Sequence, residues 1–131
     1  TSAIVAILNE EPDAHLFKEQ FHRADQVLVS LATLFEAGCV MASERFHAGG
    51  ERLEALIALL DMTAIPFDEI QLGHARSAFT RYGRGSSHKA NLNMGDCFSY
   101  ALARTRNLPL LFKGDDFIHT DIEPALKPAK R

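Results

Sequence analysis

Asn91-Leu92-Asn93-Met94-Gly95-Asp96-Cys97-Phe98-Ser99-Tyr100-Ala101-Leu102-Ala103 is the stretch on which the reading of this chain turns. It predicts a buried helix opened by a polar cap, and Asp96 is the only charged side chain between Ala90 and Ala103. Burying an ionised carboxylate without a counter-charge costs several kcal/mol even after relaxation, so the site must neutralise Asp96 or supply a cation. A plainer reading stands beside this one. Asn93 would be the cap and Asp96 a first-turn acid favoured by the helix dipole.

On the N-terminal side of this helix, Gly83-Arg84-Gly85-Ser86-Ser87-His88-Lys89 reads as a flexible basic loop. On the other side Asn107 marks a stop, Leu108-Pro109-Leu110-Leu111-Phe112 predicts a short buried strand, and Lys113-Gly114-Asp115-Asp116-Phe117 turns out of it. From Glu123 the chain carries two prolines, Lys127, Lys130 and Arg131, and reads as a loosely ordered tail.

Upstream, strands again alternate with helices. Thr1 or Ser2 caps an apolar helical stretch to Leu8, and Pro12 and Asp13 start a helix to about Arg23 with Leu16, Phe17 and Phe21 on its buried stripe. Val27 to Val29 predicts a strand. Ser30 caps a helix to about Phe46, whose Leu31, Leu34, Phe35, Gly38 and Ala42 recur at helical spacing. Between Val27 and Ser43 the only charged residue is Glu36. Gly49-Gly50 breaks the chain, Glu51 to Leu60 predicts a helix, Thr63 to Phe67 a strand, and Asp68 caps a helix to about Tyr82. This alternation implies an α/β fold with a parallel sheet covered on both faces and ligands at the carboxyl ends of its strands. Glu36, Asp96, Asp115 and Asp116 would then gather at one edge, with Thr1 and Ser2 leaving a strand that lies upstream of the sequence.

The 131 residues suit a single domain spanning 1–131, and 47% apolar residues supply a core without crosslinks. Cys39 and Cys97 lie in apolar helical windows, the pattern of reduced, packed thiols in an intracellular, cytoplasmic protein. A net charge of −3 argues against nucleic-acid binding by overall basicity while allowing a local basic patch. The apolar start lacks a basic leader, no stretch is long enough to span a membrane, and the absence of an initiating Met suggests that the natural chain begins earlier. No Walker loop, GxSxG elbow or dinucleotide fingerprint is present.

Carboxylates converging in an apolar surround repel one another, and a hard divalent cation resolves the conflict. Oxygen-only ligation without paired Cys or His points to Mg²⁺ or Mn²⁺, ions suited to phosphodiester hydrolysis. Thr1, Ser2 and Asn93 are the polar groups placed to hold bound water or a phosphate oxygen, and Ser99 is a further supporting group. Glu36 has an alternative as a buried ion pair with Arg45 or Arg52, and Asp115-Asp116 as a solvated turn. Arg81, Arg84, His88 and Lys89 form a candidate RNA-binding patch that Arg104 and Arg106 would extend, or an ordinary solvated loop. His15, His22, His47 and His74 fall at no ligand spacing, and the nine Phe residues are spaced as core. A receiver-type Mg²⁺-binding signalling domain is a rival, and it would need a lysine at a strand end, which only Lys113 offers.

The blocks Thr1 to Leu8, Ala32-Thr33-Leu34-Phe35-Glu36-Ala37-Gly38, Tyr82-Gly83-Arg84-Gly85, Leu92 to Ala103, and Pro109 to Phe117 with Thr120-Asp121-Ile122 resemble PIN-domain proteins of the VapC toxin group across essentially the whole chain. The resemblance implies a three-layer α/β/α sandwich with a central parallel sheet, whose first strand is missing from this sequence. It implies an Mg²⁺- or Mn²⁺-dependent endoribonuclease, the toxin of a type II toxin-antitoxin pair, held inactive by a VapB-type antitoxin and commonly dimeric. Glu36 matches the family's helix glutamate and Asp96 its third acid, and Asp115 or Asp116 serves as the fourth. A gap-free comparison sets Gly114 at that fourth position, so the choice between the two aspartates stays open. The family's first acid immediately precedes the Thr-Ser pair. A degenerate PIN fold that only binds partners is the alternative.

Overall fold

The computed structural model describes residues 1–127. Six helices and two strands follow one another: α1 Ser2–Leu8, α2 Ala14–Arg23, β1 Leu28–Ser30, α3 Leu31–Met41, α4 Gly49–Leu59, β2 Thr63–Ile65, α5 Glu69–Tyr82 and α6 Met94–Arg106, with a 3₁₀ turn over Phe117–His119. β1 and β2 pair in parallel, with Leu28 opposite Thr63, Val29 opposite Ala64 and Ser30 opposite Ile65. Two isolated bridges, Gly83 with Leu92 and Leu110 with Pro124, are also parallel. The molecule is therefore α/β with parallel pairing wherever the described residues meet edge to edge.

Local chemistry sets the boundaries. Ser30 Oγ accepts from the Ala32 N–H at 3.1 Å and opens α3 at the exit of β1. Asp68 does the same for α5 through the Gln71 N–H at 2.9 Å. Asn93 opens α6, and Asn107 closes it in the left-handed conformation that Asn tolerates. Two apolar clusters result. One gathers α1 to α4 around Ile4, Phe17, Met41 and Leu53, and the other gathers α5, α6 and the last segment around Tyr82, Leu92, Tyr100 and Phe117.

Five expectations change. The helix predicted from Leu31 to Phe46 ends at Met41, where Gly49 at the start of α4 crowds the Met41 carbonyl so closely that no side chain fits. The buried row of α3 is Thr33, Ala37 and Met41, whereas Leu31 and Phe35 are exposed. A helix apolar on nearly every side gives its periodicity no face to select. Leu16 of α2 is likewise exposed. The strand predicted over Leu108–Phe112 is reduced to the bridge of Leu110 with Pro124, and Leu108, Leu110 and Leu111 line a cavity of about 400 Å³ together with Val29 of β1. Lastly, the tail expected from Glu123 begins tied down: the Leu110 N–H donates to the Glu123 carbonyl and the Ala125 N–H to the Leu110 carbonyl, each at 2.9 Å. Residues 128–131, with Lys130 and Arg131, lie outside the described residues.

Candidate active site

The first turn of α6 organises the site. Asn93 Oδ1 accepts from the Asp96 N–H at 2.8 Å, and Asp96 Oδ2 accepts from the Asn93 N–H at 3.0 Å, a reciprocal capping box. The plainer reading of Asp96 is therefore correct in its geometry. It does not exhaust the residue. Burial raises the Asp96 carboxyl above its ordinary range, the Asn93 N–H opposes this, and repulsion from Asp116 and Glu36 raises it further. An acid placed only for capping would not carry two like charges against it.

Glu36 reaches the same turn from the middle of α3. Its carboxylate lies against Gly95 so closely that a Cβ on residue 95 would overlap Oε1, Oε2 and the carboxyl carbon. Gly95 is thus the residue that lets an acid from one helix touch the N-terminus of another, where unpaired N–H groups favour negative charge. Thr1 meets it there. The Thr1 hydroxyl donates to Glu36 Oε1. The ion pairs weighed for Glu36 do not form: the Arg52 guanidinium donates to the Leu8 carbonyl, and that of Arg45 lies over the Phe46 ring at 4.5 Å.

Within the aspartate pair, the charge of Asp116 acts on Asp96. The segment carrying it is held from two sides. The Lys113 N–H donates to Ser2 Oγ at 2.9 Å, and the Lys113 ammonium pairs with Glu11 at 2.5 Å and Asp13 at 3.0 Å. That commitment turns Lys113 away from the acids, contrary to what a receiver-type site would require. Ser99 faces Thr33 across the α3 and α6 contact, their hydroxyls 3.2 Å apart, and so braces the two helices that carry Glu36 and Asp96.

The basic patch divides. Arg84 and Lys89 are exposed on the loop. His88 is occupied by the loop itself: its Nδ1 accepts from the Ala90 N–H at 3.0 Å and its ring meets Tyr82 edge-on at 4.9 Å. Arg81 lies over the Tyr82 ring at 4.7 Å.

A hard divalent ion suits this chemistry, since the converging donors are carboxylate oxygens that repel one another. Among the described residues, no three of the His, Cys, Asp and Glu side chains are close enough together to hold an ion. Asp96 is turned to its own helix cap and Glu36 to the Thr1 hydroxyl.

Residues 1–123 match the PIN domain. The chain belongs to the PIN-domain family. It is 44% identical over 126 residues to ribonuclease VapC28 of Mycobacterium tuberculosis, covering 96% of this chain and 95% of that protein. It is 44% identical over 131 residues to ribonuclease VapC30 of the same species, covering 98% and 97%. A ribonuclease VapC of Mycolicibacterium smegmatis is 42% identical over 122 residues, with 93% and 94% covered.

Two features of this PIN domain escape a reading by residue type. Gly95, inside a helix where Gly costs about 1 kcal/mol relative to Ala, signals a close approach only through that cost. Asp121 accepts from the Tyr100 hydroxyl at 2.7 Å and anchors the last segment on α6. Its signal is a lone charge between Ile118 and Ile122.

Proposed function

We propose that this PIN domain is a divalent-cation-dependent endoribonuclease and the toxin of a toxin-antitoxin pair. The observation that carries the reading is the seating of the Glu36 carboxylate on Gly95, beside an Asp96 whose charge Glu36 and Asp116 both oppose. Relatives of this length and identity named ribonuclease support the same activity. Glu36, Asp96 and Asp116 would hold Mg²⁺ or Mn²⁺, with Asp115 adjacent. Bound there, such an ion lowers the pKa of water and stabilises charge on a phosphodiester. The chain's own part is positional. The capping box fixes Asp96, Ser2 fixes the turn that carries Asp116, and the exposed Arg84 and Lys89 face RNA.

The partners follow from the same reading. A VapB-type antitoxin would lay an apolar helix beside the acids and insert a basic side chain among them. A homodimer would use the exposed stripe Leu31, Phe35 and Cys39 on α3, with Phe35 76% exposed; Phe35→Glu is expected to halve the mass measured by light scattering. No helix among the described residues is long and apolar enough to cross a membrane.

Cleavage of a mixed oligoribonucleotide with Mn²⁺ tests the activity. Glu36→Gln is expected to lower the rate at least about 100-fold with the fold kept, in line with loss of a transition-state group. Asp116→Asn is expected to cost more than Asp115→Asn. Undiminished cleavage by Glu36→Gln overturns the mechanism. The separation of the acids favours one second reading, a PIN fold that only binds partners. Calorimetry with Mn²⁺ decides it: no heat of binding alongside no cleavage would establish that alternative.

A further inference from the structure

One charged cluster lies outside the acidic site. Asp121 receives the Tyr100 hydroxyl on Oδ1 at 2.7 Å, and its Oδ2 faces both Arg81 Nη1 at 3.7 Å and Arg104 Nε at 3.9 Å. Those two separations exceed a hydrogen bond, so the carboxylate holds both guanidinium groups by charge without occupying their donors. Two cations share one anion, leaving a net positive charge at the surface. Both side chains are about half exposed, at 54% and 48%. Arg81 is further fixed by stacking on Tyr82.

The position is informative. Arg104 follows Asp96 by eight residues of α6, so it lies about 12 Å beyond the acids along the helix axis and about 80° round it. The segment from Asp116 to Asp121 runs beside α6, with Asp116 acting on Asp96 at one end and Asp121 accepting from Tyr100 at the other. A nucleic-acid backbone lying along α6 with one phosphodiester at the acids would bring another, a few nucleotides away, to the arginines.

We infer that Arg81 and Arg104, held side by side by Asp121, form a subsite for a backbone phosphate of single-stranded RNA, with Asp121 as its positioning residue. The inference rests on the ribonuclease reading for the identity of the ligand. Guanidinium pairs suit it because their planar donor forks match the oxygens of a phosphate.

The test uses binding without cleavage, so that its failure is separate from failure of the nuclease reading. A fluorescently labelled oligoribonucleotide is titrated with the whole protein in EDTA at several salt concentrations. Each phosphate contact contributes about 0.7 to the slope of log K against log salt for a single strand. Arg104→Gln and Arg81→Gln are each expected to reduce the slope by about that amount and to weaken binding several-fold. Arg23→Gln, on the distant α2, is expected to leave both unchanged. Asp121→Asn gives the sign that separates positioning from mere presence: a bystander acid repels RNA, so its neutralisation would tighten binding, whereas loss of a shared anchor weakens it. Weakened binding with Asp121→Asn is expected. An unchanged slope in Arg104→Gln, a surface change that leaves Tyr82 untouched, overturns the subsite. Tighter binding by Asp121→Asn overturns the positioning role. Loss of Mn²⁺-dependent cleavage from the unmodified protein, with these slopes retained, would refute the nuclease reading alone.

Discussion

Asp96 is a side chain on which a structural bond and its electrostatic surroundings act in opposition. Its cap bond favours the ionised form, and its burial with Asp116 and Glu36 disfavours it more. A carboxyl held above its ordinary value binds more protons folded than unfolded. Stability contributed through this group is therefore greatest below the ordinary value of 3.8 and is lost as pH rises through the raised one. Asp96→Asn keeps an oxygen for the Asn93 N–H and removes the charge. Thermal melts should show it melting above the parent at pH 7 and level with it near pH 3.5, while cleavage is abolished. Gly95→Ala acts differently: the new Cβ drives the Glu36 carboxylate from its seat, with an overpacking cost of about 1–3 kcal/mol in urea denaturation and loss of cleavage. Asp96 and Glu36 were legible in the sequence as lone charges in apolar windows. Gly95 was not, because its importance lies in a residue 59 positions away in the chain.

At the level of elements, polar punctuation was more readable than apolar periodicity. Ser30, Asp68, Asn93 and Asn107 mark helix ends where the sequence places them, since a side-chain cap or a left-handed residue acts on its immediate neighbours. Ser30→Ala should cost about 1 kcal/mol, more than an exposed cap would, since Ser30 is 1% exposed and its Ala32 N–H would lose its partner. Equilibrium denaturation measures it. The buried face of α3 was not readable, since Leu31, Phe35 and Leu34 compete with Thr33, Ala37 and Met41 and only the neighbouring elements decide. The extended residues from Leu108 to Phe112 failed for a related reason: strand propensity needs an edge to pair with, and among the described residues Leu110 finds one in its bridge with Pro124.

For the molecule as a whole, the alternation of strands and helices was enough to assign the α/β class, and the blocks shared with PIN domains were enough to assign the family. What alternation could not convey is that the core is built as two clusters. Met41 and Ala37 of α3 belong to one, while Cys97 and Tyr100 of α6 belong to the other. Glu36 and Asp96 therefore sit on opposite sides of a seam, joined by the Gly95 approach and the pairing of Thr33 with Ser99. An ion shared by those carboxylates would act as a rivet between two separately packed halves. Its mechanical signature is a slowing of amide exchange that spans the seam. With saturating Mn²⁺, protection should rise together in α3 and α6, while α2, remote from the rivet, keeps its exchange rates.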